Sequence, residues 1–324
     1  MEEIRWGIIG CGDVTEMKSG PAFNKVPHSK LIAVMRRDGV KAENYAKRHG
    51  VPKWYDDAIA LINDAEVNAI YIATPPLQHE EYTKMALEAG KPVYVEKPMT
   101  LDANAAKRMI EVATRTNVKL SIAHYRRAQP VFIKVKELLA ENIIGDVRFI
   151  DMKMRQSINP ALIAKPEDNW RINPAISGGG LFHDLAPHQL DLMGYFFGAI
   201  KKANGMATKQ QKNTLADDLV VGNILFENGI VFNGTWCFSS SEKDEIDNCT
   251  IYGSKGNISF PIFGSKIQTT IDGIEKEYVF ESLKHVQQPM IEQVVNFFLG
   301  HGENPCSGEE ALITMELLDR FTGK

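Results

Sequence analysis

The sequence predicts an α/β protein that begins with a doubly wound parallel sheet and continues as an α+β domain with an open, mainly antiparallel sheet. Two observations support this prediction. Over roughly the first 125 residues, short apolar runs alternate with helix-like stretches, which is typical of parallel strands joined by crossover helices. Beyond about residue 200, short apolar segments are separated by turn residues, which indicates an antiparallel meander. We therefore expect two domains, residues 1–123 and residues 124–324.

The first predicted domain contains five strands, each a short apolar run, and four helices. The strands are expected at residues 4–9, 31–35, 67–73, 92–95 and 118–123. The helices are expected up to about residue 26 after the first strand and at residues 40–49, 79–89 and 102–116. Asp102 is a favourable N-terminal cap for the last of these helices.

The pattern changes after about residue 124. A helix is expected at residues 131–141 and a strand near 147–154, before a loop that reaches residue 173. Gly178-Gly179-Gly180 precedes a predicted helix that extends to about residue 197. Short strands are expected between residues 203 and 280, with turns at 227–229, 253–256 and 272–273, followed by helices at 289–299 and 307–321.

Composition limits the class of protein. The net charge of −4 gives no basic surface of the kind that binds nucleic acid, so we expect no nucleic-acid partner. The four cysteines form no C-x-x-C pair, so a zinc ribbon or a redox dithiol is not expected. The first residues lack the features of a signal peptide, and no run approaches the roughly 20 apolar residues of a membrane span. These observations predict a cytoplasmic protein without a membrane partner.

A glycine-rich turn, Gly10-Cys11-Gly12, stands between the first predicted strand and the helix after it. Gly10 permits a tight turn, and Gly12 lets the backbone approach a pyrophosphate at the N-terminus of the helix. Together with Asp13 and Val14, these residues are expected to bind a dinucleotide in a Rossmann-type turn. Thr15 replaces the third glycine of the G-x-G-x-x-G pattern, so an ordinary strand-to-helix turn is the alternative.

Two arginines follow the second predicted strand, where an acidic residue would indicate NAD. Arg36 and Arg37 could bind the 2′-phosphate of an adenosine ribose through charge-assisted hydrogen bonds. The sequence therefore predicts NADP as the preferred cofactor. NAD is the alternative, because Arg36 could instead stack on adenine or face solvent.

Candidate catalytic residues lie at a predicted strand end and on a predicted helix. Lys97 follows the strand at 92–95, and because ligands bind at the carboxyl ends of parallel strands it could direct its charge at a substrate oxygen. A solvated surface lysine is the alternative. Asp184 and His188 are four residues apart and share one helix face, where the carboxylate could orient a histidine that removes a hydroxyl proton.

Two other interpretations of the helix motif stay open. Asp184 and His188 could have a capping or core role. A metal site with His183 is a rival reading, but no metal is expected because His183 and Asp184 project in different directions. Pro187, between Asp184 and His188, is tolerable if it lies in the first turn of the helix.

Taken together, these motifs resemble the Gfo/Idh/MocA family, named for glucose–fructose oxidoreductase and inositol dehydrogenase. The resemblance rests on the glycine turn, Ala73-Thr74-Pro75-Pro76 with His79, Glu96-Lys97-Pro98, and the triple glycine with Asp184 and His188. It implies a Rossmann domain, a second domain whose sheet mediates dimer or tetramer contacts, and oxidation or reduction of sugars, cyclitols and related alcohols. Val34-Met35-Arg36-Arg37 and Tyr125-Arg126-Arg127 are most similar to the dihydrodiol and sugar dehydrogenase branch, which leans to NADP.

The resemblance also implies roles for single residues. Lys97 would polarise the reacting oxygen, His188 would be the general acid and base, and Asp184 would orient the substrate and His188. Thr74, Pro75, His79 and Glu96 would join Lys97 on the cofactor side. The weaker candidates for the substrate pocket, for which interdomain packing is the alternative, are Tyr125, Arg127, Trp170 and Arg171. His183 and Pro187 depart from the commonest family pattern.

We therefore expect an NAD(P)-dependent enzyme that transfers a hydride between the cofactor and the CH–OH or C=O group of a small sugar, cyclitol or polyol. Two alternatives come from other classes within the resemblance. One is a glycosidase that uses tightly held NAD for transient oxidation. The other is a non-catalytic regulator that responds to dinucleotide, against which the presence of Lys97, Asp184 and His188 argues.

Overall fold

The computed structural model describes residues 2–157, 170–212 and 214–324. The chain divides into two compact units. The first consists of Met1–Tyr125 and Leu283–Met315, and the second of Arg126–Ser282 and Glu316–Lys324. The domain limits predicted from the sequence, 1–123 and 124–324, stay a prediction, because a compact unit is not necessarily an independently folding domain.

Six strands form a parallel sheet in the first unit. They are β1 (Ile4–Ile9), β2 (Ser29–Met35), β3 (Lys53–Tyr55), β4 (Ala69–Ile72), β5 (Val93–Val95) and β6 (Leu120–Ile122). Their order across the sheet is β3-β2-β1-β4-β5-β6, with parallel pairing throughout this series. The order turns back between β1 and β4, and ligands of doubly wound sheets bind at the carboxyl ends of the strands at this switch point.

Five helices connect these strands. They are α1 (Asp13–Met17), α2 (Gly39–His49), α3 (Ala58–Ile62), α4 (His79–Glu88) and α5 (Ala103–Thr116). An aspartate caps three of them: the side chains of Asp38, Asp57 and Asp102 each accept a hydrogen bond from the backbone amide three residues further on. These caps fix where α2, α3 and α5 begin.

The first helix is shorter than the sequence indicates. Instead of reaching residue 26, α1 ends at Met17, and a separate 3-10 turn covers Gly20–Asn24. A Cβ atom at Gly20 would lie 2.2 Å from both the carbonyl oxygen of Thr15 and the hydroxyl of Tyr45, so the chain turns where only glycine fits. The sequence also did not predict β3 and α3, because segments of three and five residues are too short to show a periodic pattern of apolar side chains.

Eight strands form the sheet of the second unit. They are β7 (Val147–Arg155), β8 (Ile200–Thr208), β9 (Leu219–Phe226), β10 (Val231–Cys237), β11 (Ile246–Gly253), β12 (Gly256–Phe260), β13 (Lys266–Ile271) and β14 (Ile274–Val279). Their order is β14-β13-β12-β11-β7-β10-β9-β8. β10 runs parallel to β7, whereas the other pairs in this series are antiparallel. The predicted fold class is therefore confirmed.

The remaining helices are α6 (Pro130–Ala140), α7 (Pro174–Ser177), α8 (Gly180–Phe197), α9 (Gln288–Leu299) and α10 (Gly308–Thr322). Phe182 of α8 contacts the buried Trp236 of β10 edge to face, with ring centroids 5.1 Å apart. Gly205 and Gly222 make room on the sheet for Phe321, since Cβ atoms there would lie 2.7 Å and 2.2 Å from it. None of the helices in the described ranges combines the length and apolar character that a membrane crossing needs.

Candidate active site

The glycine turn is hydrogen-bonded to the end of β2 and has open space beside Gly12. The backbone amides of Gly10 and Cys11 both donate to the carbonyl oxygen of Met35, at 2.9 and 3.1 Å. Gly10 has a φ of +96°, and a Cβ there would lie 2.6 Å from the amide nitrogen of Thr74, so both the turn and the close approach require glycine. By contrast, a Cβ at Gly12 would meet none of the described atoms within 4 Å apart from its chain neighbours. The turn therefore leaves room for a ligand beside Gly12.

Thr15, which stands at the position of the third glycine, packs into the turn. It is fully buried, and its hydroxyl donates to the carbonyl oxygen of Gly12 at 2.8 Å. The thiol of Cys11 is also buried, and this burial raises its pKa to about 11. Cys11 thus stays protonated at neutral pH and contributes its backbone, not a nucleophile, to the turn.

A cavity of about 330 Å³ lies next to the turn and carries several cationic groups. It is lined by Cys11, Glu16, Arg36, Val40, Lys41, Asn44, Tyr45 and Arg48. The guanidinium of Arg36 reaches the carbonyl oxygen of Cys11 at 3.5 Å. Arg37 is exposed and is not among these lining residues, so the two arginines have different environments.

The carboxylate of Glu16 does not cancel the charge of Arg36. It accepts hydrogen bonds from Arg48 at 2.6 and 2.8 Å and contacts His49 at 2.8 Å. The hydrogen bonds from Arg48 hold the pKa of Glu16 at about 2. Because Glu16 is thus paired with residues of α2, Arg36 leaves the cavity with a cationic group for an anionic ligand, while Lys41, also in the lining, lies 4.0 Å from the carboxylate of Asp38. The open space beside Gly12 and this cationic cavity are compatible with an anionic dinucleotide.

His79 ties two loops together at the carboxyl edge of the parallel sheet. Its Nε2 atom lies 2.7 Å from the carbonyl oxygen of Thr74, and its Nδ1 atom lies 3.0 Å from that of Pro98. Complete burial lowers the pKa of His79 to about 4, and the two carbonyl oxygens that face its ring nitrogens act in the opposite direction. Thr74 and Pro75 lie on the loop that His79 holds. Cofactor contacts of Thr74, Pro75 and His79 stay a prediction.

Glu96 and Lys97 follow β5 directly, but their side chains have different environments. Lys97 is partly exposed, and its peptide bond to Pro98 is cis. Glu96 is buried, and its carboxylate accepts hydrogen bonds from the hydroxyl of Tyr71 at 2.5 Å and from Nε2 of Gln287 at 2.6 Å. The described contacts of this carboxylate are made within the protein, so its predicted place on the cofactor remains untested.

In the second unit, Asp184 and His188 lie one turn apart on α8. The guanidinium of Arg171 lies 3.2 Å from the carboxylate of Asp184 in a largely buried ion pair. His188 is buried, and its ring packs edge to face against Phe263, with centroids 5.6 Å apart. The structure thus pairs Arg171 with Asp184 and places His188 one helical turn further along α8; orientation of His188 by Asp184 stays a prediction.

Pro187 lies in the interior of α8, not in its first turn as the sequence reading required. Its ring nitrogen cannot donate to the carbonyl of His183, yet the helix continues to Phe197. His183 is fully buried and turned toward Gly179, whose Cβ would lie 2.1 Å from the imidazole Nδ1. Among the residues described, no group of three His, Cys, Asp or Glu side chains is placed to hold a metal ion.

The other candidates for the substrate pocket have varied surroundings. Tyr125 is buried at the start of the 3-10 turn Tyr125–Ala128. Arg127 forms a buried bidentate ion pair with Asp191 of α8, with nitrogen–oxygen distances of 3.0 and 2.8 Å. Trp170 lies beside Arg171, whose guanidinium is 4.5 Å from its ring centroid. The pairing with Asp191 favours a packing role for Arg127, while its substrate contact stays a prediction.

Several residues that contact the candidate site residues were not predicted from the sequence. Asp191 had a usable signal, because it follows Asp184 by two helical turns and lies on the same face. Phe263 had none, since it contacts His188 from a loop after β12. Tyr71 and Gln287 also had no signal in the sequence, because they lie 25 and 191 positions away from Glu96, the residue whose carboxylate they contact.

Comparisons with known proteins agree with this geometry. Residues 4–124 match the family model described as "Oxidoreductase family, NAD-binding Rossmann fold", and residues 132–259 match the "GFO/IDH/MocA C-terminal domain". The chain is 48% identical over 320 residues to Oxidoreductase P35 of Formosa agariphila, covering 99% of this chain and 98% of that protein. It is 29% identical to the trans-1,2-dihydrobenzene-1,2-diol dehydrogenase of Oryctolagus cuniculus, over 77% of this chain and 71% of that one.

Among solved structures, an oxidoreductase from Thermotoga maritima superposes with a TM-score of 0.86 at 26% identity. The match covers 99% of this chain and 97% of that one.

Proposed function

Because the chain belongs to the GFO/IDH/MocA oxidoreductase family, we propose that it transfers a hydride between a nicotinamide dinucleotide and the CH–OH or C=O group of a sugar, cyclitol or related small polyol. The predicted family and the predicted oxidoreductase class are confirmed. The substrate class is supported by the diol dehydrogenase among the relatives. The observation that carries the catalytic proposal is the position of Lys97 at the carboxyl end of β5, the strand next to β4.

Each candidate residue has a chemical part in this proposal. When bound, the dinucleotide supplies the ring that accepts or returns the hydride. In the oxidation direction, His188 takes the proton of the substrate hydroxyl while the carbinol hydrogen departs with its electron pair. Lys97 stabilises the negative charge that develops on the oxygen, which is usually the largest contribution to the rate. Asp184, held by Arg171, orients His188.

The cavity beside the glycine turn supports NADP as the preferred dinucleotide. Arg36 and Lys41 line this cavity and can form charge-assisted hydrogen bonds to a 2′-phosphate. The Glu16 carboxylate, which could otherwise repel the phosphate, is paired with Arg48. NAD remains the second candidate, because Arg36 could also stack on the adenine ring.

The proposed reaction is tested by following absorbance at the nicotinamide band with a panel of sugars, cyclitols and polyols and with each cofactor. We expect turnover with at least one substrate, and we expect Lys97→Met to lower kcat by at least about a thousandfold while cofactor binding persists. Full activity of Lys97→Met would contradict the assignment. Glycoside cleavage without net change in the cofactor would indicate the glycosidase alternative, and dinucleotide binding without any turnover would indicate the regulator.

We also propose that the chain forms a homodimer or homotetramer through the sheet of the second unit. Phe149 and Tyr252 stack at 4.5 Å on that sheet, and Phe149 is 44% exposed although it is apolar. Such an exposed apolar cluster is typical of an interface. A cytoplasmic location is proposed as well, because the four cysteines are free thiols, and cell fractionation would test it.

A further inference from the structure

The buried carboxylate of Glu96 joins three separate parts of the first unit. Its Oε1 atom accepts hydrogen bonds from the hydroxyl of Tyr71 at 2.5 Å and from Nε2 of Gln287 at 2.6 Å. Its Oε2 atom accepts a hydrogen bond from the backbone amide of Lys97 at 3.2 Å. Glu96 is only 5% exposed, so these donors take the place of water around the charge. The backbone of the candidate catalytic lysine is thus bonded to the same carboxylate that Tyr71 and Gln287 hold.

Gln287 is itself fixed by several contacts. It is 1% exposed, and its Oε1 atom lies 3.5 Å from the hydroxyl of Tyr94. Its backbone amide donates to the carbonyl oxygen of Lys18 at 3.2 Å, at the end of α1. Two residues earlier, Nδ1 of His285 lies 2.7 Å from the carbonyl oxygen of Met17. The side-chain amide of Gln287 therefore contacts Glu96 from a backbone segment that is hydrogen-bonded to the end of α1.

A buried carboxylate depends on its donors for its orientation. Removing one partner of a buried charged hydrogen bond leaves the remaining group to rearrange or to admit water. If the Gln287 amide is removed, Oε1 keeps only the hydrogen bond from the Tyr71 hydroxyl, so the carboxylate is held less firmly against the backbone amide of Lys97. The strand end that carries Lys97 would then lose its side-chain anchor, although β5 itself would keep its pairing with β4 and β6.

We propose that Gln287 is a positioning residue for Lys97 and that it acts through the Glu96 carboxylate. The hydroxyl of Tyr71 is the second side-chain donor that holds this carboxylate. The inference rests on the proposed function, since it concerns the reaction in which Lys97 takes part. It also gives the Glu96 carboxylate a place on the backbone of Lys97, whereas the cofactor contact expected from its motif stays a prediction. Gln287 lies far from the motifs that mark the site in the sequence.

The first test measures the backbone and needs no substrate. Protein labelled with ¹⁵N-lysine gives an amide signal for Lys97, which the Lys97→Arg variant identifies by its loss. We expect Gln287→Met to accelerate hydrogen exchange of this amide at least tenfold, because its acceptor is no longer held. Gln288→Met, the neighbouring position, is the matched control and should leave the rate within twofold. An unchanged rate in Gln287→Met would overturn the proposal.

The second test separates positioning from general stability. With the best substrate, Gln287→Met should lower kcat about tenfold or more while the Kd of the cofactor stays within threefold. Glu96→Gln should lower kcat at least as much, and adding Gln287→Met to it should cause little further loss, because both changes act along one path. A normal kcat in Gln287→Met, or fully additive losses, would contradict a role through Glu96.

Two controls keep the outcomes distinct. If Gln287→Met does not fold, Tyr71→Phe removes the other holder with the loss of one oxygen atom, and the same changes in exchange and kcat are expected in smaller measure. If the wild-type protein turns over no substrate, the proposed function fails, and the exchange rate of the Lys97 amide decides by itself whether Gln287 fixes that backbone.

Discussion

Arg36 and Arg37 are neighbours in the sequence but have different environments in the structure. Arg36 lines the cavity beside the glycine turn, whereas Arg37 is exposed. We therefore expect Arg36→Ala to weaken binding of NADP about tenfold or more, the usual effect of losing a charge-assisted hydrogen bond of about 1.5–3 kcal/mol, and to change the affinity for NAD by less than threefold. Isothermal titration with both cofactors measures this difference, and Arg37→Ala serves as the control. Equal weakening for both cofactors would indicate stacking on adenine instead.

His183 makes the stability of the fold sensitive to acid. Burial, together with the nearby charge of Lys324, lowers the pKa of His183 to about 3, well below the value near 6.5 of an unfolded chain. Because the unfolded chain binds a proton in this range and the folded state does not, this contribution to stability is complete above pH 6.5 and declines as the pH falls toward 3. At pH 5 the loss from this one group amounts to about 2 kcal/mol.

The variant His183→Leu should remove that dependence. We expect the free energy of unfolding in urea to fall less between pH 7 and pH 5 in His183→Leu than in the wild type, whatever the absolute stability of the variant. His301→Gln, at an exposed histidine, should retain the full decline. Parallel declines in all three proteins would show that His183 is protonated without cost in the folded state.

At the scale of elements, the packing of Phe321 requires glycine at positions 205 and 222 on the sheet of the second unit. A Cβ at Gly222 would lie 2.2 Å from the ring of Phe321, which is fully buried. We expect Gly222→Ala to lower the free energy of unfolding by about 1–3 kcal/mol, since the ring cannot move without breaking its contacts in the core. Gly194→Ala on α8 is the opposite control, because, apart from its chain neighbours and the backbone of its own helix, no described atom lies within 4 Å of its Cβ position.

Gly222→Ala and Gly194→Ala should therefore differ in their effect on the free energy of unfolding. Alanine at Gly194 is expected to be neutral or to stabilise the protein by up to about 1 kcal/mol, because alanine favours a helix over glycine. Urea unfolding of both variants measures the contrast. A loss in Gly194→Ala as large as that in Gly222→Ala would contradict the packing explanation.

The elements also show which parts of the fold the sequence could predict. Helices α2 and α5 have local signals, namely an aspartate cap at the start and a left-handed residue, Gly50 or Asn117, at the end. The end of α1 at Met17 has no such signal, and the close approach of Tyr45 to Gly20 just beyond it is a tertiary contact. The extent of α8 agrees with the prediction, but Pro187 lies in its interior and not in the first turn, since the packing of a buried helix outweighs one lost backbone hydrogen bond.

At the scale of the whole molecule, the motifs could be predicted but their supports could not. Lys97, Asp184 and His188 belong to short patterns with a chemical meaning. The groups that hold them come from distant parts of the chain: Gln287 for Glu96, and Phe263 for His188. Such contacts depend on tertiary packing, which no local period or spacing encodes.

The sheet of the second unit leads to the last expectation, which concerns assembly. Strand register places Tyr252, Phe149 and Val231 directly across from one another on β11, β7 and β10. Phe149 and Val231 are 44% and 42% exposed, so this row of apolar side chains is available to a second copy of the chain. A C2 contact would place the same row of each copy in the interface.

We therefore expect Phe149→Asp to raise the dissociation constant of the oligomer at least about thirtyfold, equivalent to about 2 kcal/mol, because a carboxylate would lose its water in the interface. Light scattering after size exclusion should then report a species near the chain mass of 36.2 kDa where the wild type is larger. Ile274→Asp, at a residue 74% exposed on the edge strand β14, is the matched control and should leave the assembly intact. Because Phe149 is partly exposed in the single chain, its replacement should lower the stability of the monomer little. A wild type that is monomeric at micromolar concentration, or equal dissociation in both variants, would show that this face is not the interface.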